Sequence, residues 1–180
     1  MHLNQIPNII TGMRLLAVPP AIYLMWVGRW DIAFLVFAFA GVSDGVDGYL
    51  ARRFGWQSKW GATMDPVADK LLLVSTAAML LYQSLLPLWL FVLMFGRDLM
   101  ILGGAALYRW KFGPYKIQPT WLGKASTFVQ ILLLLSMMVH AAFGILSEEQ
   151  IDKMIFMCGL ITVVSGAHYA WIWIRKALNE

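Results

Sequence analysis

The sequence predicts an all-α integral membrane bundle of six transmembrane helices, with both termini on the cytoplasmic side. Three observations carry that expectation. Hydrophobic residues make up 60% of the 180-residue chain and charged residues only 13%, about half the charged share of a soluble domain, which leaves too little polar surface to cover a water-soluble globule. The apolar residues fall into six runs of roughly 20, the length that crosses a bilayer. Lys and Arg gather on alternate loops, the pattern that sets orientation.

The runs are taken in chain order. They cover about Ile9–Val27, Asp31–Arg53, Trp60–Gln83, Pro87–Arg109, Trp121–Phe143 and Ile151–Ile174. Gly28, Arg29 and Trp30 separate the first two, and Leu85 to Pro87 break the third from the fourth. The polar stretch WKFGPYKIQPT ends the fourth, and GILSEEQ divides the fifth from the sixth, with EEQID expected as a solvated outer loop. These connections are too short for a second domain, so residues 1–180 are expected to form a single membrane domain. The opening MHLNQIPN lacks the basic region and small-residue cleavage site of a signal peptide, so the first apolar run is expected to be retained. The single Cys158 excludes an internal disulfide and reads as a small apolar side chain.

With six spans, one side of the membrane holds Arg14, Arg52, Arg53, Lys59, Arg109, Lys111, Lys116, Lys124, Arg175 and Lys176. The other holds only Arg29 and Lys153 beside Asp31, Glu148, Glu149 and Asp152. The basic side is expected to be cytoplasmic. Its charge suits anionic headgroups or anionic substrates at the membrane surface better than nucleic acid, which is not expected as a partner.

The segment SDGVDGYLARRFGWQSKWGATMDPVADK sets four aspartates between apolar runs. Asp44, Asp47 and Ala51 fall at i, i+3 and i+7 on the second predicted helix, with Gly48 one turn from Asp44. Gly61, Asp65 and Asp69 fall at i, i+4 and i+8 on one face of the third. At ~1.5 Å of rise per residue, Asp47 and Asp65 lie roughly 8–9 Å in from the cytoplasmic helix ends, and Asp44 and Asp69 roughly 14 Å. Matching depths on neighbouring antiparallel helices let the four converge. Four clustered carboxylates in a weak dielectric must share protons, pair with cations of the chain, or bind metal. Only Lys70 and Arg97 are both cationic and deep, and Lys70 points off the Asp69 face, so metal is the favoured escape. All-oxygen ligation favours Mg²⁺ or Mn²⁺, and four carboxylates balance two such ions. A metal pair suits a diphosphate and displacement at phosphorus. Pro66 is expected to kink the third helix, and Gly48 and Gly61 leave room for a flat ligand.

That segment resembles the signature of the CDP-alcohol phosphotransferases, D-x2-D-G-x2-A-R-x8-G-x3-D-x3-D. Asp44, Asp47, Gly48, Ala51, Arg52, Gly61, Asp65 and Asp69 match every fixed position and every gap. The resemblance implies CDP-diacylglycerol as donor, its diphosphate bridging two metal ions on Asp44, Asp47, Asp65 and Asp69. It implies Asp69 as the general base toward the acceptor hydroxyl, and CMP as leaving group. Gly48, Ala51 and Gly61 would then admit the cytidine, and Arg52 would support the nucleotide. The opening IPNIITGMRLL is similar to the P-N-x2-T-x2-R start of phosphatidylglycerophosphate synthases and CDP-diacylglycerol-dependent cardiolipin synthases. Asn8 and Thr11 would thus help shape the nucleotide site, with Arg14 either a phosphate contact or a snorkelling charge. The family also implies a homodimer, placed here in a bacterial cytoplasmic membrane with the site facing the cytoplasm.

The acceptor is read from the fourth and fifth spans. Arg97 and Lys124 are the candidates to hold an acceptor phosphate, with a structural ion pair as the alternative for Arg97 and a Lys70–Asp98 pair as another. Phosphatidylglycerophosphate synthases usually show G-R-E here and a second Arg eight residues on. This chain has Asp98 and Ala105 at those positions. Its R-D pattern followed by P-T-x3-K resembles cardiolipin synthases, whose acceptor is phosphatidylglycerol, so that acceptor is favoured over glycerol 3-phosphate. His140 and His168 read as packing residues, and Trp30, Trp60, Trp89, Trp121 and Trp173 as interface anchors. A divalent-cation transporter is the rival outside enzymes. It is disfavoured because the later half of the chain has no counterpart to the aspartate cluster.

Overall fold

In the computed structural model, residues 6–54, 59–112 and 120–178 are described, with backbone alone at 6–11, 14, 44–54, 59–67, 111–112 and 176–178. Among the described residues six helices follow one another: α1 (Ile6–Trp26), α2 (Trp30–Phe54), α3 (Lys59–Tyr82), α4 (Leu88–Phe112), α5 (Trp121–Phe143) and α6 (Glu148–Leu178). No strand occurs among the described residues. Their bounds follow the apolar runs closely, since unbroken apolar sequence of membrane length has no better way to satisfy its backbone than a helix. Among the described residues three stretches are long and apolar enough to cross a bilayer: Leu88–Trp110, Trp121–Phe143 and Glu148–Arg175. Shorter apolar stretches, Leu15–Trp26 and Trp30–Ser43, lie in α1 and α2. Large apolar side chains such as Leu16, Phe39, Leu99, Leu102, Phe128 and Phe156 point outward. That arrangement is costly in water and free of cost in lipid.

The chain forms two compact units, Met1–Leu85 with Met137–Ile145, and Leu86–Ser136 with Leu146–Glu180. In the first, α1 packs on both α2 and α3. Val18, Ala21 and Met25 of α1, Ala33, Phe37 and Ala40 of α2, and Ala68, Leu72 and Leu80 of α3 are buried. Helix α1 continues through Pro19 and Pro20, which cannot donate to the carbonyls one turn earlier. Pro19 lines an open apolar groove with Tyr23, Trp26, Met79 and Tyr82. The end of α1 is a Schellman cap: the Arg29 N–H donates to Leu24 O at 2.8 Å and that of Gly28 to Met25 O at 3.1 Å. Gly28 adopts φ +76°, which its missing Cβ permits. Helix α3 ends the same way, with Leu85 N–H on Leu80 O and Ser84 N–H on Leu81 O, but Ser84 holds the left-handed φ of 60° despite its side chain.

The second unit is organised by α6. Trp89 of α4 lies against Gly159 of α6, and Trp173 of α6 lies against Gly104 of α4. Arg97 and Gly166 meet between these two seats. The contacts advance together along both chains, so α4 and α6 run parallel. Helix α5 runs antiparallel to α6, joined to it by a buried polar seam. Gln130 Nε2 donates to Thr162 Oγ1 at 3.3 Å, and the Ser126 and Thr162 hydroxyl oxygens lie 3.5 Å apart. Small and hydroxyl side chains of this kind are how helices adhere in lipid.

Two expectations are corrected. The segment EEQID is not a loop; it forms the first turn of α6. Ser147 and Gln150 make a reciprocal capping box, Gln150 N–H to Ser147 Oγ at 3.2 Å and Ser147 N–H to Gln150 Oε1 at 2.9 Å, which starts the helix in polar sequence. Trp30 is not an interface anchor but a buried core residue opening α2. Trp121, by contrast, is 87% exposed.

Candidate active site

The backbone of α2 is helical through Asp44 and Asp47, and that of α3 through Gly61, Asp65 and Asp69. The aspartates therefore stand one turn apart on each helix, and the shared packing of both helices on α1 ties them to one core. Asp69 alone of the four has a described side chain. It is half-buried, beside buried Ala68 and on the helix face of buried Leu72 and Thr76. The side chains of Asp44, Asp47, Asp65, Asn8, Thr11, Arg14, Gly48, Ala51, Arg52, Gly61 and Pro66 lie outside the described residues, as do residues 55–58 and 113–119 entirely. Among the described residues no three His, Cys, Asp or Glu side chains form a group able to hold a metal. The fit to a metal therefore rests on donor chemistry: four carboxylates supply only hard oxygens, which suits Mg²⁺ or Mn²⁺ and not zinc.

The second unit holds the other candidates. Arg97 is 8% exposed. Its Nη1 pairs with Asp98 Oδ1 at 2.7 Å. Nη2 donates to Gly123 O at 3.1 Å and to Ser165 Oγ at 3.0 Å. Among the described residues the buried Nε–H has no hydrogen-bond partner. The Tyr169 ring lies 5.6 Å from the guanidinium carbon, within cation–π range. Tyr169 Oη in turn accepts the Thr120 N–H at 3.1 Å. Thr120 caps α5: its Oγ1 accepts Gly123 N–H at 3.1 Å and its carbonyl accepts Lys124 N–H at 3.0 Å. Lys124 is exposed in that first turn. The two cations chosen from sequence thus sit differently: Arg97 inside a hydrogen-bonded cluster, Lys124 at the surface next to a residue Arg97 holds.

Sequence reading overlooked Gly123, Ser165 and Tyr169. A Cβ on Gly123 would stand 2.5 Å from Tyr169 Oη and 3.2 Å from Arg97 Nη2, so that glycine is required by close approach. The available signal was Ser165 and Tyr169 at i and i+4 on α6, a polar stripe on an otherwise apolar helix. His168 packs as expected, beside Tyr169 and stacked on Trp171.

Fold and motif together define a class: a protein helical throughout its described residues, with membrane-length apolar stretches in α4, α5 and α6 and paired aspartates on the consecutive helices α2 and α3. The chain belongs to the CDP-alcohol phosphatidyltransferase family, whose sequence model matches residues 4–173. It is 31% identical over 184 residues to a probable cardiolipin synthase (CMP-forming) of Drosophila melanogaster, covering 93% of this chain and 57% of that protein. A cardiolipin synthase (CMP-forming) of Streptomyces coelicolor is 39% identical over 129 residues, 68% of this chain and 60% of that one. A chloroplastic CDP-diacylglycerol–glycerol-3-phosphate 3-phosphatidyltransferase of Oryza sativa subsp. japonica is 31% identical over 186 residues, 92% of this chain and 56% of that one. The chain thus spans between 56% and 60% of the length of these relatives. The family match sets the transporter reading aside.

Proposed function

We propose that this chain is a CDP-diacylglycerol-dependent phosphatidyltransferase that transfers a phosphatidyl group to a glycerol-type acceptor and releases CMP. The favoured acceptor is phosphatidylglycerol, giving a cardiolipin synthase-like reaction. The observation that carries the reading is the complete eight-position motif from Asp44 to Asp69, on two consecutive helices.

In this reading Asp44, Asp47, Asp65 and Asp69 hold two divalent cations, Mg²⁺ or Mn²⁺, whose charge offsets that of the donor diphosphate. Asn8, Thr11, Gly48, Ala51, Arg52 and Gly61 bind the CDP-diacylglycerol nucleotide. Asp69 takes the proton of the acceptor hydroxyl. The acceptor oxygen bonds to the phosphorus bearing the lipid, the bond from that phosphorus to the CMP oxygen breaks, and its electron pair leaves with CMP. Arg97 and Lys124 serve the anionic acceptor headgroup. All six helices span a bacterial cytoplasmic membrane, residues 1–180 act as one domain with both termini and the site on the cytoplasmic side, and two copies pair.

Glycerol 3-phosphate is the second reading, favoured by the name of the rice relative. One assay tests both: CMP release from CDP-diacylglycerol by purified protein, with phosphatidylglycerol or glycerol 3-phosphate. Release should require Mg²⁺ or Mn²⁺, vanish on chelation and return on metal addition. No CMP with any acceptor rejects the enzyme reading, and preference for glycerol 3-phosphate reverses the acceptor.

A further inference from the structure

The P-T-x3-K run at the start of α5 contains one residue with no task in the reaction, Thr120. Its hydrogen bonds supply one. The buried Tyr169 hydroxyl of α6 accepts the Thr120 N–H at 3.1 Å. Thr120 carries that hold into the first turn of α5: Oγ1 accepts the Gly123 N–H at 3.1 Å, and the carbonyl accepts the Lys124 N–H at 3.0 Å. The same turn is held from α4, where Arg97 Nη2 donates to Gly123 O at 3.1 Å. Space for the phenol exists because residue 123 has no side chain; a Cβ there would stand 2.5 Å from Tyr169 Oη. The bonded groups converge on a turn whose Gly123 is buried and whose Lys124 is exposed.

We propose that Tyr169 is a positioning residue: by accepting the Thr120 N–H it fixes the first turn of α5 and so aims Lys124 at the anionic acceptor headgroup. The inference rests on the phosphatidyltransferase reading and deepens it. Helix ends fray, and a lysine on a fraying turn loses backbone as well as side-chain freedom when it binds. A turn already bonded to two other helices has given up the backbone part on folding, which leaves more of the contact energy for the ligand. The hydroxyl and the ring of Tyr169 have separate tasks. The ring lies 5.6 Å from the Arg97 guanidinium carbon, and the hydroxyl alone reaches α5. Tyr169→Phe therefore removes the hold on Thr120 and keeps the ring on Arg97.

The test is a double-mutant cycle on CMP release, with whichever of phosphatidylglycerol and glycerol 3-phosphate the wild type prefers. Tyr169→Phe should raise the acceptor KM about threefold or more with the KM for CDP-diacylglycerol unchanged. Lys124→Gln should raise the acceptor KM as well. Tyr169→Phe added to Lys124→Gln should raise it no further, since two residues that act through one contact are not additive. A Tyr169→Phe protein that loses only melting temperature, with its acceptor KM unchanged, overturns the proposal. So does an equal effect of Tyr169→Phe in both backgrounds, or a Lys124→Gln protein with the wild-type acceptor KM. A wild type that releases no CMP with either acceptor rejects the phosphatidyltransferase reading itself, which is a different result. Should Tyr169→Phe not fold, Gly123→Ala decides, because its Cβ would displace the same hydroxyl. The same rise in acceptor KM, absent in the Lys124→Gln background, is expected of it, and an unchanged acceptor KM overturns the assignment.

Discussion

The α2–α3 motif and the Arg97 cluster are both polar chemistry set among apolar helices, but they are written into the chain in opposite ways. The motif is local. Its eight positions lie within residues 44–69, and helical spacing alone places them on faces. The cluster is assembled from Arg97 and Asp98 on α4, Thr120 and Gly123 at the start of α5, and Ser165 and Tyr169 on α6. No spacing along the chain links these residues. The motif repeats at helical intervals within one stretch of chain, whereas the residues of the cluster need only to meet in space. The first kind is legible in one dimension and the second is not.

The largest test of this contrast is Asp69→Asn. Losing the base should lower CMP release by about 10²- to 10⁴-fold while CDP-diacylglycerol still binds, measured by turnover beside a donor-binding titration. Near-normal turnover would remove Asp69 from its role and with it the claim that the motif reads directly as chemistry. Gly159→Val probes the three-dimensional side. A Cβ there would lie 2.8 Å from Trp89 ring atoms, so the indole must move, at a cost of about 1–3 kcal/mol. Thermal unfolding in detergent should show the loss, and Trp89→Leu in the same chain should recover part of it. An unshifted melting temperature in the single variant would mean the seat is not tight. Ser84→Gly should have the smallest effect. Relieving a left-handed φ of 60° should stabilise by about 1 kcal/mol, read as a raised melting temperature with catalysis unaltered.

Much of the fold is legible because long apolar runs obey one rule: where no water is at hand, a backbone must bond within itself. Helix bounds therefore follow apolar length, as Trp121–Phe143 does residue for residue. Where the rule weakens, reading failed. The sixth helix starts at Glu148, in polar sequence that hydropathy assigns to a loop, because Ser147 and Gln150 cap each other. Trp30 has the composition of an anchor, yet tertiary packing buries it. The identity of Arg97 was visible, but not its ring of partners, since the decisive neighbour, Gly123, contributes by lacking a side chain.

The two indoles seated on two bare backbone patches, Trp89 on Gly159 and Trp173 on Gly104, make the helix pair a vernier. Inserting one residue into α4 between the seats would turn everything beyond it by about 100° and advance it by about 1.5 Å, so only one end could remain docked. Length changes in this pair are therefore tolerated only in matched steps. A relative with an indel inside α4 is expected to carry a compensating one in α6, a signature that a simple alignment of the aspartate motif would never reveal.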